Sequence, residues 1–414
     1  MSKTLRMGLV GAGFIARFQL QAMKQIRGIE VVGVTARKGG PALAKLAHKM
    51  GFEELTVYKS VSELAKHVDC IAIFCPNFAR IPVVEEIVAA VKSGAHLKGV
   101  ICEKPLGRTV AEARRLVELA AAAHLPTAYF ENQLFMKAVR AQRLQLEPVQ
   151  KAMGPLSLTR CAEEHAGPHE PWFWDPTQQG GGVLSDMGCH SIAVGWYLLN
   201  PAGKGLTFLK PYSVTAEVAL LKWGQSPWRE KLMKERGVDY SKTPAEDFAT
   251  GIFTFRNPET GQKVKTQFTN SWMFEKQGLR AFIDGTGPGY AFEFNTLISP
   301  LSIFIGDQAA DSIGDAETAM EKSQASRGLL AVHYNEADLY GYPDENEDAF
   351  HAFMAGRDAT LSWDYGLEIT RLVTAAYMAA ESRRTVDLTN RQIQNELETY
   401  MPLIQQGRGA EILF

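Results

Sequence analysis

The run Cys70-Ile71-Ala72-Ile73-Phe74-Cys75 carries no polar side chain. A strand of this kind needs cover on both faces, which a parallel sheet flanked by helices provides. Comparable runs recur through the first 130 residues, and strands are expected at 5–10, 31–35, around Val57, 70–75, 100–102 and 127–130. Between them lie helical patterns at 15–26, 41–50, 61–67, 81–93 and 110–123. Strand and helix alternate in the rhythm of βαβ units around a parallel sheet.

After about residue 131 the texture changes. Strand-like stretches at 157–161, 214–222, 248–256, 263–272 and 279–284 follow one another with turn residues between them, which suggests a largely antiparallel sheet. Two helical segments, 347–355 and 364–382, come near the end. The expected organisation is an α/β Rossmann domain at 1–131 and an α+β domain with a large, mostly antiparallel open sheet at 132–414. Segment 200–244 is rich in Lys, Gly, Pro and Trp and reads as a loop insertion; 301–327 is small and polar and reads as a second excursion.

Bulk properties narrow the function classes. A length of 414 residues exceeds one ordinary domain, and 46% hydrophobic residues supply a sizeable core. A net charge of −2 without a basic stripe removes the footprint of a nucleic-acid binder. No stretch approaches the roughly 20 apolar residues of a membrane span, and the N-terminus lacks the apolar core of a signal peptide. Five cysteines without a CxxC pair read as buried reduced thiols, hence a cytoplasmic setting.

The first expected strand runs into Gly11-Ala12-Gly13-Phe14-Ile15-Ala16, which opens a helix. Gly11 allows a tight turn, and Gly13 lets backbone approach a pyrophosphate lying on the helix N-terminus. Phe14 and Ile15 begin that helix, and Ala16 stands where a third glycine is common. The second strand ends in Thr35-Ala36-Arg37-Lys38, without the acid that would bind a ribose 2′-hydroxyl. Arg37 and Lys38 suit a 2′-phosphate, so NADP is favoured over NAD; the alternative is an ordinary solvated basic loop.

Glu103-Lys104-Pro105 closes another strand. The X-Pro bond holds Lys104 extended and can be cis, at the strand end where open α/β sheets bind ligands. Farther on, Gly180-Gly181-Gly182 lets backbone come close to a ligand or cofactor. It precedes Asp186-x-x-x-His190, a spacing that puts both side chains on one helix face.

Gly11-x-Gly13, Cys75-Pro76-Asn77, Glu103-Lys104-Pro105 and the stretch from Gly180 to His190 occur in order and at suitable distances. Together with Ser362-Trp363-Asp364-Tyr365-Gly366 and the close at Val386-Asp387-Leu388, they resemble the glucose–fructose oxidoreductase / inositol dehydrogenase (Gfo/Idh/MocA) family from about residue 5 to about residue 390. The resemblance implies an open second-domain sheet whose exposed face forms an oligomer contact, hence a homo-oligomer, dimer or tetramer. It implies a sugar, inositol or related polyol as substrate, oxidised or reduced at one carbon by a nicotinamide cofactor. By position in the motifs, Pro76, Asn77, Glu103 and Lys104 join the cofactor-binding set, and Lys104, Asp186 and His190 form the catalytic group. His190, with an ordinary pKa of about 6.5, is expected to accept the hydroxyl proton in alcohol oxidation. Lys104 is expected to hydrogen-bond the reacting oxygen, and Asp186 to orient the substrate hydroxyl or the imidazole. The chain departs from the family where a His often follows the Pro-Asn pair, placing Arg80 there, and in extra sequence near 200–244 and 301–330.

The polar–aromatic stretch 163–175 precedes the glycine run. Trp172 and Trp174 are expected to stack on a sugar ring, and His165 and His169 to bond its hydroxyls; the alternative for the tryptophans is a hydrophobic seal with no ligand contact. His165, His169, Asp186 and His190 are also zinc-type ligands, but the Gly167-Pro168 between the two histidines argues against a helix presenting both, and no metal is expected. Asn132, Tyr334 and Tyr340 are further candidates for the pocket, while Glu246-Asp247-Phe248 is expected only to begin a strand. Two other functions stand beside the dehydrogenase: a redox-neutral lyase or glycosidase working through a transient keto-sugar on a tightly held cofactor, and a non-catalytic sugar or nucleotide sensor.

Overall fold

The apolar runs of the first 130 residues form a six-stranded, all-parallel sheet in the order β3-β2-β1-β4-β5-β6. The strands are β1 (Leu5–Val10), β2 (Ile29–Thr35), β3 (Thr56–Val57), β4 (Cys70–Ile73), β5 (Gly99–Glu103) and β6 (Thr127–Phe130). The computed structural model describes residues 4–275, 278–298, 302–305, 328–331 and 336–414. All four side chains of β4 are 0% exposed, as the unbroken apolar run requires. Helices α1 (Phe14–Met23), α2 (Gly40–Lys49), α3 (Val61–Ala65), α4 (Arg80–Lys92) and α5 (Val110–Ala122) connect the strands. Local chemistry sets two of their starts: the Ser60 side chain accepts from the Glu63 N–H and Thr109 from the Glu112 N–H. Strand order reverses between β1 and β4, which marks the crevice where such sheets bind ligands.

Two compact units emerge, one of residues 1–136 with 340–370, the other of 137–339 with 371–414. The return of 340–370 to the first unit is not foreseen in a division at 131/132. It is held by contacts that no local pattern encodes. Phe353 lies so close to Gly99 that a Cβ there would sit 2.5 Å from the ring. Asp358 accepts from the Thr127 N–H at 2.7 Å and hydroxyl at 2.9 Å, and the Tyr129 N–H donates to the Leu361 carbonyl at 2.7 Å.

The second unit is built on a seven-stranded sheet, β12-β11-β7-β10-β9-β8-β15. Its strands are β7 (Leu158–Glu164), β8 (Lys210–Ala219), β9 (Phe248–Arg256), β10 (Lys263–Ser271), β11 (Arg280–Gly287), β12 (Tyr290–Asn295) and β15 (Val386–Asp387). Every pairing is antiparallel except β7 with β10. β13 (Ser302–Ile305) and β14 (Gly328–Ala331) make a separate antiparallel pair; the rest of 301–330, and Tyr334, lie outside the described residues.

Segment 200–244 is not a plain loop. It contributes β8 and the helix Trp228–Arg236, and Trp223 and Tyr240 pack at 4.9 and 6.0 Å from the Trp174 ring. The Asp247 carboxylate accepts from the Leu221, Lys222 and Trp223 N–H groups and fixes the turn after β8. Four of the five cysteines are buried, Cys75 is partly so, and all five are free. Among the described residues no helix is long and apolar enough to cross a membrane.

Helix Cys189–Leu199 lies on β7 and β10, and Gly195 allows it to do so: a Cβ there would stand 2.0 Å from Thr266 Oγ1. On propensity alone, Gly195→Ala would stabilise the helix by about 1 kcal/mol. Overpacking, at about 1–3 kcal/mol, should outweigh that gain and leave a net loss of up to about 2 kcal/mol, read as a lower midpoint in urea denaturation. A variant more stable than wild type would show that the helix–sheet gap is loose.

Candidate functional site

The crevice at the β1/β4 reversal is shaped by backbone. Gly11 has φ 114°, and a Cβ on it would be 2.6 Å from the Phe74 carbonyl oxygen, so neither the turn nor the approach of the two strand ends admits a side chain. Gly13 caps α1 in extended conformation without a side-chain hydrogen bond, and nothing lies within 4 Å of where its Cβ would be. The first turn of α1 holds no acid. Helix-start N–H groups with open space above them suit an anion, so this donor set fits the pyrophosphate of a dinucleotide. Phe14 and Ile15 are partly buried, and Ala16, 0% exposed, lets α1 pack on the sheet.

The turn after β2 runs alongside. A Cβ on Gly39 would be 3.4 Å from that of Ala12, and Arg37 and Lys38 in the same turn are exposed. No acid follows Thr35 before the turn, as the sequence requires.

Beyond β4, Pro76 is partly buried and Asn77 is buried at the start of a short 3-10 turn, Asn77–Ala79. Burial pushes the Cys75 thiol up to about 12, which keeps it protonated and a poor nucleophile. Arg80 is 3% exposed, and its Nη2 donates to the Lys104 carbonyl at 3.1 Å. The Lys104-Pro105 bond is cis, with Lys104 half-buried and Glu103 buried.

Sequence reasoning passed over the polar group behind Glu103. Gln19 Nε2, on α1, donates to Glu103 Oε1 at 2.8 Å and to Glu345 Oε1 at 2.9 Å, and Asn346 Nδ2 donates to Gln19 Oε1 at 2.7 Å. Burial, and then the charge of Glu103, hold the Glu345 carboxyl well above its ordinary range. One amide therefore joins the glycine-loop helix, the Glu103-Lys104-Pro105 strand end and the returning helix Tyr342–Met354. The Asn132 Nδ2 donates to the Tyr340 carbonyl at 2.8 Å, a structural use of both residues.

In the second unit Asp186 and His190 are each 4% exposed. They do not share a plain α-helix: Leu184–Gly188 is a π turn and Cys189–Leu199 continues it as α-helix. The wider turn, with i→i+5 bonding, is a form concentrated at functional sites.

The start of that turn is closed from outside. The Gly182 N–H donates to both oxygens of Glu246 at 3.0 Å, and the Leu184 N–H to Oε1 at 3.0 Å. The Val183 N–H donates to the Glu246 carbonyl at 3.0 Å, and the Ser185 N–H to Tyr377 Oη at 3.1 Å. Tyr377 in turn donates to Glu246 Oε1 at 2.6 Å. A Cβ on Gly181 would be 2.0 Å from Tyr377 Oη, and one on Gly182 would be 2.2 Å from the Glu246 carbonyl oxygen. This corrects two expectations. The glycine run makes room for Glu246 and Tyr377, and Glu246 does more than precede a strand. A run of three glycines was the signal that a close neighbour existed; its identity, 64 residues on, had no local trace.

Trp174 is also corrected. It is 2% exposed, its Nε1 donates to the Pro168 carbonyl at 2.9 Å, and Trp223, Tyr240 and Trp272 surround its ring. That leaves no face for a sugar, so it is core. Trp172 is half-buried and stacks on Phe173 at 3.9 Å. His165 is buried, and its Nδ1 accepts from the Gly167 N–H at 2.9 Å, which places the neutral ring's proton on Nε2. His169 is half-buried. Among the described residues no three of His165, His169, Asp186 and His190 bring ligand atoms within 4.8 Å of one another.

Residues 5–129 match the GFO/IDH/MocA oxidoreductase family with an NAD-binding Rossmann fold, and residues 149–289 match its C-terminal domain. D-glucoside 3-dehydrogenase of Escherichia coli is 28% identical over 209 residues, 50% of this chain and 57% of that protein. Levoglucosan dehydrogenase of Pseudarthrobacter phenanthrenivorans is 25% identical over 407 residues, 93% of this chain and 98% of that protein. Several curated relatives are spanned, like the first of these two, over little more than half their length. GenD2 from gentamicin A biosynthesis, solved in complex with NAD, has the same fold, with a TM-score of 0.72 at 20% identity over 94% of this chain and 97% of that one. With the glycine loop in one matched segment and Asp186 and His190 in the other, in chain order, the chain belongs to the Gfo/Idh/MocA family of oxidoreductases.

Proposed function

We propose that the protein is a nicotinamide-dependent dehydrogenase or reductase acting on a carbinol or carbonyl carbon of a sugar, inositol or related polyol. The observation that carries this reading is the α1 start, open at Gly13 and free of acids, in a chain whose relatives are named for sugar oxidation. Gly11, Gly13, Phe14, Ile15, Pro76, Asn77 and Glu103 are assigned to the cofactor. When bound, the nicotinamide supplies a hydride acceptor or donor.

The chain's own groups handle the proton and the oxygen. His190 takes the hydroxyl proton, Asp186 orients the hydroxyl or the imidazole, and Lys104 hydrogen-bonds the reacting oxygen. Arg80 steadies Lys104 through its carbonyl. Trp172, His165 and His169 remain assigned to substrate, and Trp174 is withdrawn. Exposed Arg37 and Lys38, with no acid after β2, favour NADP over NAD. The open face of the seven-stranded sheet, where Ile252 is 44% exposed, is assigned to contact with a second copy.

An absorbance screen of aldoses, inositols and keto-sugars with both cofactors tests the activity; product without net change in reduced cofactor would point to redox-neutral chemistry and overturn it. Lys104→Ala and His190→Ala should each lower kcat by about 10²–10⁴-fold with cofactor affinity nearly unchanged. Near wild-type turnover in both would remove the assigned roles. Arg37→Ala with Lys38→Ala should weaken NADPH by about tenfold, the size of one charge-assisted hydrogen bond, and leave NADH unaffected. Equal loss for both cofactors would end the NADP preference.

A further inference from the structure

Some helix starts in this chain are closed by a neighbour in sequence, as at Ser60 and Thr109. The start before Asp186 is closed differently. Gly180, Gly181 and Gly182 have no side chains to offer, Val183 makes no side-chain cap, and all four are buried. Its orphan N–H groups take oxygens from Glu246, at the head of β9, and from Tyr377, in the helix Trp363–Ser382.

Burying a carboxyl here is costly. Burial raises Glu246 from its ordinary 4.5 to about 7. A serine or threonine in the loop would cap a helix without that cost, so the arrangement calls for an explanation beyond helix stability.

The explanation lies in where the constraint falls. Downstream, the helix Cys189–Leu199 is pinned to the sheet at Gly195 against Thr266. Upstream, Glu246 and Tyr377 pin residues 182–185. The π turn spans the interval, and Asp186 is its third residue. A turn wider than the α-helix has slack in rotation, and anchoring both of its ends removes that slack.

Building on the dehydrogenase reading above, we infer that Glu246, with Tyr377, is a positioning residue that fixes the rotation of the π turn and so aims Asp186 and His190. It acts through backbone N–H groups of residues 182–185.

Three proteins test this: Glu246→Gln, Tyr377→Phe, and Thr109→Ala as a control that loses a local cap on α5. The direct readout is the His190 resonance in ¹³C-histidine NMR, identified by its loss in His190→Gln. In Glu246→Gln, one acceptor oxygen is replaced by an amide donor facing N–H groups. The His190 shift and titration midpoint should therefore move, kcat should fall at least about tenfold, the size of a 1.4 kcal/mol misalignment, and cofactor affinity should stay within twofold. Thr109→Ala should leave the His190 signal in place. If Glu246→Gln does not fold, Tyr377→Phe, which keeps the carboxylate, should show the same displacement to a smaller degree.

Stability carries its own signature. Among the described residues, Tyr377 bonds Glu246 and Tyr240 feels its charge, and burial, then that charge, raises both phenols. Because the folded Glu246 is raised, its stabilising contribution is present below pH 4.5 and is lost as pH rises towards 7. Wild type should lose stability relative to Glu246→Gln across that window. An unmoved His190 signal with wild-type kcat in both Glu246→Gln and Tyr377→Phe would overturn the positioning role. Absence of any sugar turnover in wild type, with the His190 signal still displaced in the variants, would overturn the dehydrogenase reading and leave the positioning intact.

Discussion

The functional reading of this chain turns on how two helices dispose of the N–H groups at their starts. Every α-helix begins with donors that have no intrahelical partner, and something must accept from them. At α1 there is no side-chain cap: Gly13 has no side chain, no acid follows in the first turn, and nothing lies within 4 Å of where a Gly13 Cβ would be. Ahead of Asp186 the chain provides a carboxylate, a carbonyl and a phenol oxygen drawn from two distant segments. The first start is left open and the second is filled from within the chain. Glycines are essential to both, by keeping the space at Gly13 open and by leaving room for the protein itself at Gly181 and Gly182.

Buried carboxyls recur in both units, with the same restraint on charge. Gln19 presents one amide to Glu103 and Glu345, and Tyr377 presents one hydroxyl to Glu246. In each case burial favours the uncharged acid and a neutral donor opposes it, and at Glu345 the charge of Glu103 adds to burial. Such networks hold geometry without relying on the weak net gain of surface ion pairs.

What could be read from the sequence was what repeats locally. The apolar run of β4 and the glycine turn after β1 each carry a period or a motif that survives without knowledge of neighbours, whereas the Asp186–His190 spacing suggests a plain α-helix that the π turn replaces. The π turn, the role of Glu246 and the bridge through Gln19 depend on partners up to 327 residues away, and no window of sequence contains them. Trp174 failed for a related reason. An aromatic beside polar residues reads the same whether it faces a ligand or a core, and the choice was made by Trp223 and Tyr240, which belong to a segment taken for a loop. Rhythm located the elements; long-range chemistry assigned their work.

The return of 340–370 has a consequence for how the chain is made. β6 ends the parallel sheet, and residues 359–361 lie along it, bonding Thr127 and Tyr129, while Phe353 covers Gly99. Until the ribosome has delivered those residues, the nascent first unit presents a bare strand edge and an uncovered patch of sheet, features that invite pairing with other chains. The Rossmann unit, although it emerges first, cannot finish first. Its completion waits on residues 137–339 of the second unit, so its sheet stays open along one side while they are made.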